Sequence, residues 1–210
     1  MVDFSLISQN LQKGRAKDVE ALVQQAIVEK VGAKDILEQG LMSGMSIIGE
    51  KFKKNEVFVP EVLIAARAMN AGMKLLKPLL VAAGVKARGT VVLGTVKGDL
   101  HDIGKNLVGM MMEGAGLRVV DLGTDVPAER FVEAAKAEKA NIIACSALLT
   151  TTMVQMKNVV QAAEEAGIRG TVKIMVGGAP VTDSFCASIG ADKYSPDAAT
   201  AAEVAASLCL

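Results

Sequence analysis

Two side chains with chemistry to offer stand close together in Gly98-Asp99-Leu100-His101-Asp102-Ile103-Gly104. His101 is the only histidine in 210 residues. Imidazole is a versatile metal ligand and proton carrier. Asp99 can accept a hydrogen bond from one ring nitrogen and leave the other free for a metal, which orients the ring and raises its basicity. One histidine and the widely spaced Cys145, Cys186 and Cys209 do not make a protein-only zinc site or a disulfide framework. A metal bound here must therefore arrive with most of its own ligands. The plainer alternative is a turn histidine at a helix start, with Asp99 supporting the turn and Asp102 capping the helix.

The elements that position these residues follow from periodicity. Thr90–Thr95 is a β-branched run and reads as a strand, and Ile103–Gly114 reads as the helix after it. The alternation continues with a strand at 118–121, a helix at 127–140, a strand at 141–146 and a helix at 152–166. It ends with a strand at 172–177, a short helix at 181–189, a short strand at 192–194 and a last helix at 197–209. Such alternation predicts an α/β fold with a five-stranded, doubly wound parallel sheet of flavodoxin-like type.

Before it, residues 5–82 read as four helices of a small bundle. Leu22, Val23, Ile27, Val28 and Val31 form one apolar stripe, and Ile36, Leu37, Leu41, Met45, Ile48 and Phe52 another. Pro60 sits in the first turn of a helix running toward Pro78. The texture changes around residues 83–89, so the expected domains are a helical cap with linker, 1–88, and an α/β domain, 89–210.

Ligands of doubly wound sheets bind beyond the carboxyl ends of the strands. Those ends here carry Lys97 to His101, Leu122 to Pro127, Ser146 to Thr152, Gly177 to Pro180, and Ser195 to Asp197. One edge thus gathers an imidazole, carboxylates, hydroxyls and glycines that let a bulky ligand approach the backbone. The blander readings are an N-cap role for Thr150, Thr151 and Thr152, a tight strand exit at Gly177-Gly178, and an inert core thiol at Cys145.

Composition excludes several classes. Net charge is zero, with 23 basic and 23 acidic residues, so no nucleic-acid footprint is expected. No stretch reads as a membrane span and the N-terminus lacks the pattern of a signal peptide, so a cytoplasmic protein is expected.

Asp99-x-His101-x-x-Gly104, then Ser146-x-Leu148, then Gly177-Gly178, resembles the three-part signature of cobalamin-binding proteins that hold the cofactor with its own base displaced. The family includes the cobalamin module of methionine synthase and the corrinoid carriers of methanol, methylamine and methoxyarene methyltransferase systems. Asn55 to Val62 resembles the helical cap of the two-domain members, so the resemblance covers essentially the whole chain.

The resemblance implies a cobalamin or related corrinoid with His101 as lower axial ligand to cobalt and Asp99 hydrogen-bonded to its far nitrogen. Thr152 would stand third in that relay, where methionine synthase has serine. Gly98, Leu100, Asp102 and Ile103 would line the site around His101, and Gly104 would permit close approach. Ser146 and Thr150 would contact the nucleotide tail, and Leu148 of the second motif would be a further cofactor-binding residue. Gly177 and Gly178 would line the slot for the displaced base, with Ala198 closing its far side. Phe58 and Val62 would cover the upper corrin face.

The implied function is methyl shuttling by a subunit that does not catalyse alone. Its implied partners are a substrate-specific methyltransferase, an acceptor methyltransferase using tetrahydrofolate or a thiol, and a reductive activator. A cobalamin-binding sensor is the alternative, although no DNA-binding or signalling module is visible. A cobalt-free, flavodoxin-like response module is a third reading, but it lacks a phosphate-loop pattern and leaves His101 unexplained.

Overall fold

The structure is a computed structural model and describes residues 2–209. Its contacts fall into two compact units: a helical unit reaching Ala87 together with Gly114–Gly116, and a sheet unit of Arg88–Glu113 and the residues from Leu117 onward.

The helical unit is built from α1 (Phe4–Gln12), α2 (Ala16–Val28), a segment in three joined stretches, and α5 (Val59–Ala82). The joined stretches are α3 (Ala33–Asp35), a π-helical turn (Ile36–Met42) and α4 (Ser43–Lys53). Ile36, Leu41, Met45 and Ile48 of the second expected stripe are buried, with Leu37 and Phe52 at its margins. The first stripe is narrower than expected. Val19, Val23 and Ala26 form it, while Val28, the last residue of α2, is 70% exposed. α5 begins as expected, with Pro60 in its first turn and Glu61 Oε2 accepting from Phe58 N at 3.0 Å. It runs through Pro78 and ends at Ala82, the expected end of the helical stretch.

The sheet unit contains five parallel strands in the order β2-β1-β3-β4-β5. They are β1 (Thr90–Thr95), β2 (Arg118–Asp121), β3 (Ile142–Ser146), β4 (Lys173–Gly177) and β5 (Lys193–Ser195). The connecting helices are α6 (Ile103–Gly114), α7 (Ala128–Glu138), α8 (Thr150–Met153), α9 (Gln155–Glu165) and α10 (Asp183–Ser188), and α11 (Ala198–Leu208) follows β5. Buried Val91, Val92, Leu93, Ile142, Ile143, Ile174 and Val176 suit strands covered on both faces. Gly94 gives up its side chain to α7, since a Cβ there would lie 2.8 Å from the Phe131 ring.

β1 pairs with β2 on one side and β3 on the other. The chain order reverses there, which makes the carboxyl ends of β1 and β3 the topological switch point. The loops leaving those two ends carry Asp99, His101 and Leu148, and α8 just beyond carries Thr152. Register aligns Thr95, Ser146, Gly177 and Ser195 in one row across the carboxyl edge. Residues paired in this way share one face of the sheet.

Candidate functional site

Asp99 is the centre of the site. It is fully buried, and both carboxylate oxygens are occupied. Oδ1 lies 2.7 Å from His101 Nδ1 and accepts from the His101 backbone N–H at 3.1 Å. Oδ2 accepts from Thr152 Oγ1 at 2.6 Å and from the backbone N–H groups of Leu148 at 2.8 Å and Leu149 at 3.4 Å. Burial pushes the Asp99 pKa up. The Thr152 hydroxyl, the Leu148 N–H and the two His101 donors outweigh that push and hold the carboxyl well below the usual carboxylate range. Asp99 is therefore an anion that its loop neighbours, rather than water, keep charged.

The His101 side chain is half exposed. Its Nδ1 faces Asp99, which leaves Nε2 as the ring nitrogen free for a ligand. Two further bonds hold the loop beneath it. Thr95 Oγ1 donates to the His101 carbonyl at 2.8 Å, and Gly98 N donates to Asp125 Oδ1 at 2.7 Å. Asp125 N donates in turn to the Asp99 carbonyl at 3.0 Å. Asp125 adopts φ +54°, a left-handed backbone that a non-glycine residue enters at some cost. Neither Thr95 nor Asp125 has a role expected from the sequence, although Asp125 lies in the strand-end segment Leu122 to Pro127. Their only signal is position, Thr95 closing β1 and Asp125 lying just beyond β2.

The remaining expected residues divide by what surrounds them. Leu100 and Ile103 flank His101 and are 73% and 75% exposed, and Leu148 is also exposed. These are exposed apolar side chains on the two loops that meet at Asp99. Asp102 Oδ2 accepts from Asn106 Nδ2 at 3.1 Å. Gly104 is open, with nothing within 4 Å of an added Cβ. Leu148 reaches Asp99 through its backbone. Thr150 is exposed at the start of α8, Ser146 is half-buried at the end of β3, and Ala198 is buried at the start of α11 behind its N-cap Asp197.

The two glycines differ in kind. At Gly178, with φ +126°, a Cβ would lie 1.9 Å from the Ala147 carbonyl oxygen, so the crossing of two backbones requires glycine. At Gly177 a Cβ would meet only the Ser195 carbonyl, at 3.2 Å, so its missing side chain leaves space on the sheet face. Phe58, the N-cap of α5, is 62% exposed. Val62 is the second residue expected to cover a ligand. It is fully buried on the stripe that α5 turns inward with Ala65, Ala66 and Met69.

Among the described residues no three His, Cys, Asp or Glu side chains gather to hold a metal ion. One exposed imidazole with an oriented second nitrogen, exposed apolar side chains and glycine-made space suits a flat, apolar macrocycle that brings its own equatorial ligands. Cys145 lies buried on β3, where burial pushes its thiol up to about 12, so it offers neither a ligand nor a nucleophile. No helix among the described residues is long and apolar enough to cross a membrane.

Known proteins agree with this chemistry. Residues 89–204 match a family model described as a B12 binding domain, and residues 5–77 match a second model of the same description. The trimethylamine corrinoid protein 1 of Methanosarcina mazei is 48% identical over 176 residues, covering 83% of this chain and 82% of that one. The crystal structure of a cobalamin-binding protein from Desulfitobacterium hafniense matches with TM-score 0.83 and 30% identity, over 99% of both chains. The methanol:cobalamin methyltransferase complex of Methanosarcina barkeri matches with TM-score 0.88 and 33% identity, over 98% of this chain and 79% of the other.

Proposed function

The chain belongs to the corrinoid-binding carrier proteins of methyltransferase systems, and from that premise we propose that it holds its corrinoid through His101 Nε2, with the cofactor's own base displaced. A bound corrinoid supplies a cobalt centre that can accept and release a methyl group.

The observation that carries this reading is the 2.7 Å contact between His101 Nδ1 and the buried Asp99 carboxylate. It places the ring proton on Nδ1 and presents the Nε2 lone pair outward. The rest of the chemistry belongs to the loops. Asp99 stays anionic, so it favours the ligated, electron-donating imidazole. Thr152 and the Leu148 N–H fix Asp99 from the other side, which resists rotation of the carboxylate as the ring engages or releases. Leu100, Ile103 and Leu148 offer an apolar surface that exclusion of water makes favourable to cover. Gly177 keeps open the sheet face where the displaced nucleotide would lie, and Ser146 and Thr150 stand ready for its polar groups.

In this reading the chain carries a methyl group between a substrate-specific methyltransferase and an acceptor methyltransferase using tetrahydrofolate or a thiol. A reductive activator would be the third partner of such a carrier. Both the Methanosarcina relatives, named for methylamines, and the methanol complex support such a role.

The test is electron paramagnetic resonance of the Co(II) form, reconstituted with cobalamin and produced once with ordinary and once with heavy-nitrogen histidine. The expected result is a nitrogen splitting that changes with the label and vanishes in His101→Ala. A splitting indifferent to the histidine label would sink the proposal.

A further inference from the structure

Ser195 ends β5 and is 6% exposed. Among the described residues its Oγ is the one buried side-chain polar atom with no hydrogen-bond partner. The other buried hydroxyls of the sheet unit are satisfied, Thr95 by the His101 carbonyl and Thr152 by Asp99. Native structures leave few such groups unpaired, so an orphan hydroxyl calls for an explanation.

Its position supplies one. Ser195 pairs in register with Gly177, and Gly177 with Ser146, so all three look onto the same face of the sheet at its carboxyl edge. Gly177 contributes no side chain there. The hydroxyl thus belongs to the row in which Gly177 leaves out a side chain, on the face where the proposed function puts the displaced nucleotide.

We propose that Ser195 Oγ is a specificity-determining contact for the lower base of the corrinoid, pairing with a hydrogen-bonding group on the base edge. This rests on the reading that the base is displaced from cobalt into the slot. A hydroxyl can both donate and accept, so it suits a hydroxylated benzimidazole or a purine. A base whose benzene edge carries only methyl groups offers it no partner on that edge. Sites built to hydrogen-bond a ligand discriminate against the analogue that lacks the group.

The experiment titrates the full-length apoprotein with three corrinoids. One is cobinamide, which has no nucleotide; one carries dimethylbenzimidazole; one carries hydroxybenzimidazole or adenine. Wild type is expected to favour the polar-edged base over the methylated one by roughly tenfold, the effect of one neutral hydrogen bond. Ser195→Ala should level that preference and leave cobinamide affinity unchanged. Equal affinity of wild type for the two nucleotide forms, or a preference that survives Ser195→Ala, overturns the role of Ser195. The same Co(II) samples report whether the base has left the cobalt. A base still on cobalt brings down the underlying reading and this assignment together. A displaced base with no preference brings down Ser195 alone.

Discussion

Thr152 Oγ1 lies 2.6 Å from Asp99 Oδ2, a contact that joins residues 53 apart in sequence and ties α8 to the β1–α6 loop. The hydroxyl has one proton and two acceptors in reach, since the Leu149 carbonyl lies at 3.0 Å. The shorter contact, to an anion, is the stronger. Thr152 thus acts on His101 through Asp99, as a positioning residue.

Thr152→Val removes the hydroxyl and keeps the shape. It should cost about 2 kcal/mol of stability, the usual value of a hydrogen bond to a charged group. Thr152→Ser should restore most of it. Denaturant titration measures the stability, and the Co(II) spectrum of the loaded protein reports the ligand field at cobalt. A valine variant as stable as wild type, with an unchanged spectrum, would mean that Asp99 does not depend on this hydroxyl.

Gly177 and Gly178 should respond in opposite ways to alanine. Gly178→Ala forces a Cβ onto the Ala147 carbonyl in a backbone region closed to alanine, so a loss of roughly 3 kcal/mol or more, or failure to fold, is expected. Gly177→Ala meets one carbonyl at 3.2 Å and should fold within about 1 kcal/mol of wild type. Its penalty should appear in corrinoid affinity, and only for forms that carry a nucleotide. Comparing cobinamide with cobalamin in binding titrations separates the two effects. Equal weakening for both ligands would place the defect elsewhere than in the slot.

The sheet was legible because buried parallel strands announce themselves as β-branched runs. Thr90–Thr95 and Arg118–Asp121 emerge with the expected limits. Boundaries set by tertiary contacts were less so. The helix expected from Thr152 begins at Thr150 and breaks near Val154, where Thr152 turns its hydroxyl to Asp99. The helix expected to reach Ala140 ends at Glu138, because Lys139 adopts a left-handed conformation that residue type does not betray. In the site, residue spacing drew attention to Asp99 and His101, and the family resemblance added Thr152, which the fold brings to Asp99. Asp125 stayed hidden because its role depends on a fold that lays the loop after β2 against Gly98.

Asp125 offers a test of that hidden support. Asp125→Ala removes the acceptor for Gly98 N and leaves alanine at positive φ. A loss of about 1–2 kcal/mol is expected, split between strain and the lost bond. Asp125→Gly relieves the strain but not the missing acceptor, so it should recover only part of the stability. If glycine restores everything, the side chain contributes nothing to holding the loop under His101.

The depressed pKa of Asp99 makes a prediction about acid. The native carboxyl binds a proton only well below the usual carboxylate range, whereas in the unfolded chain it does so near the ordinary value of about 4. Below that pH the unfolded state holds more protons than the native state. The stability that Asp99 contributes is therefore fully present at neutral pH and drains away as the pH falls through the acid range. Asp99→Asn cannot follow this course, because its amide has no charge to lose and presents one acceptor atom in place of two. Near neutral pH the variant should be less stable than wild type by about 2–4 kcal/mol, the cost of unmaking a buried, charge-assisted network. The gap should narrow as the pH drops below about 4. Denaturation curves of the two proteins at matched pH values measure it. A gap that stays constant from neutral to acid pH would show that the native carboxyl titrates like an exposed one, and that the donors around Asp99 do not hold its charge.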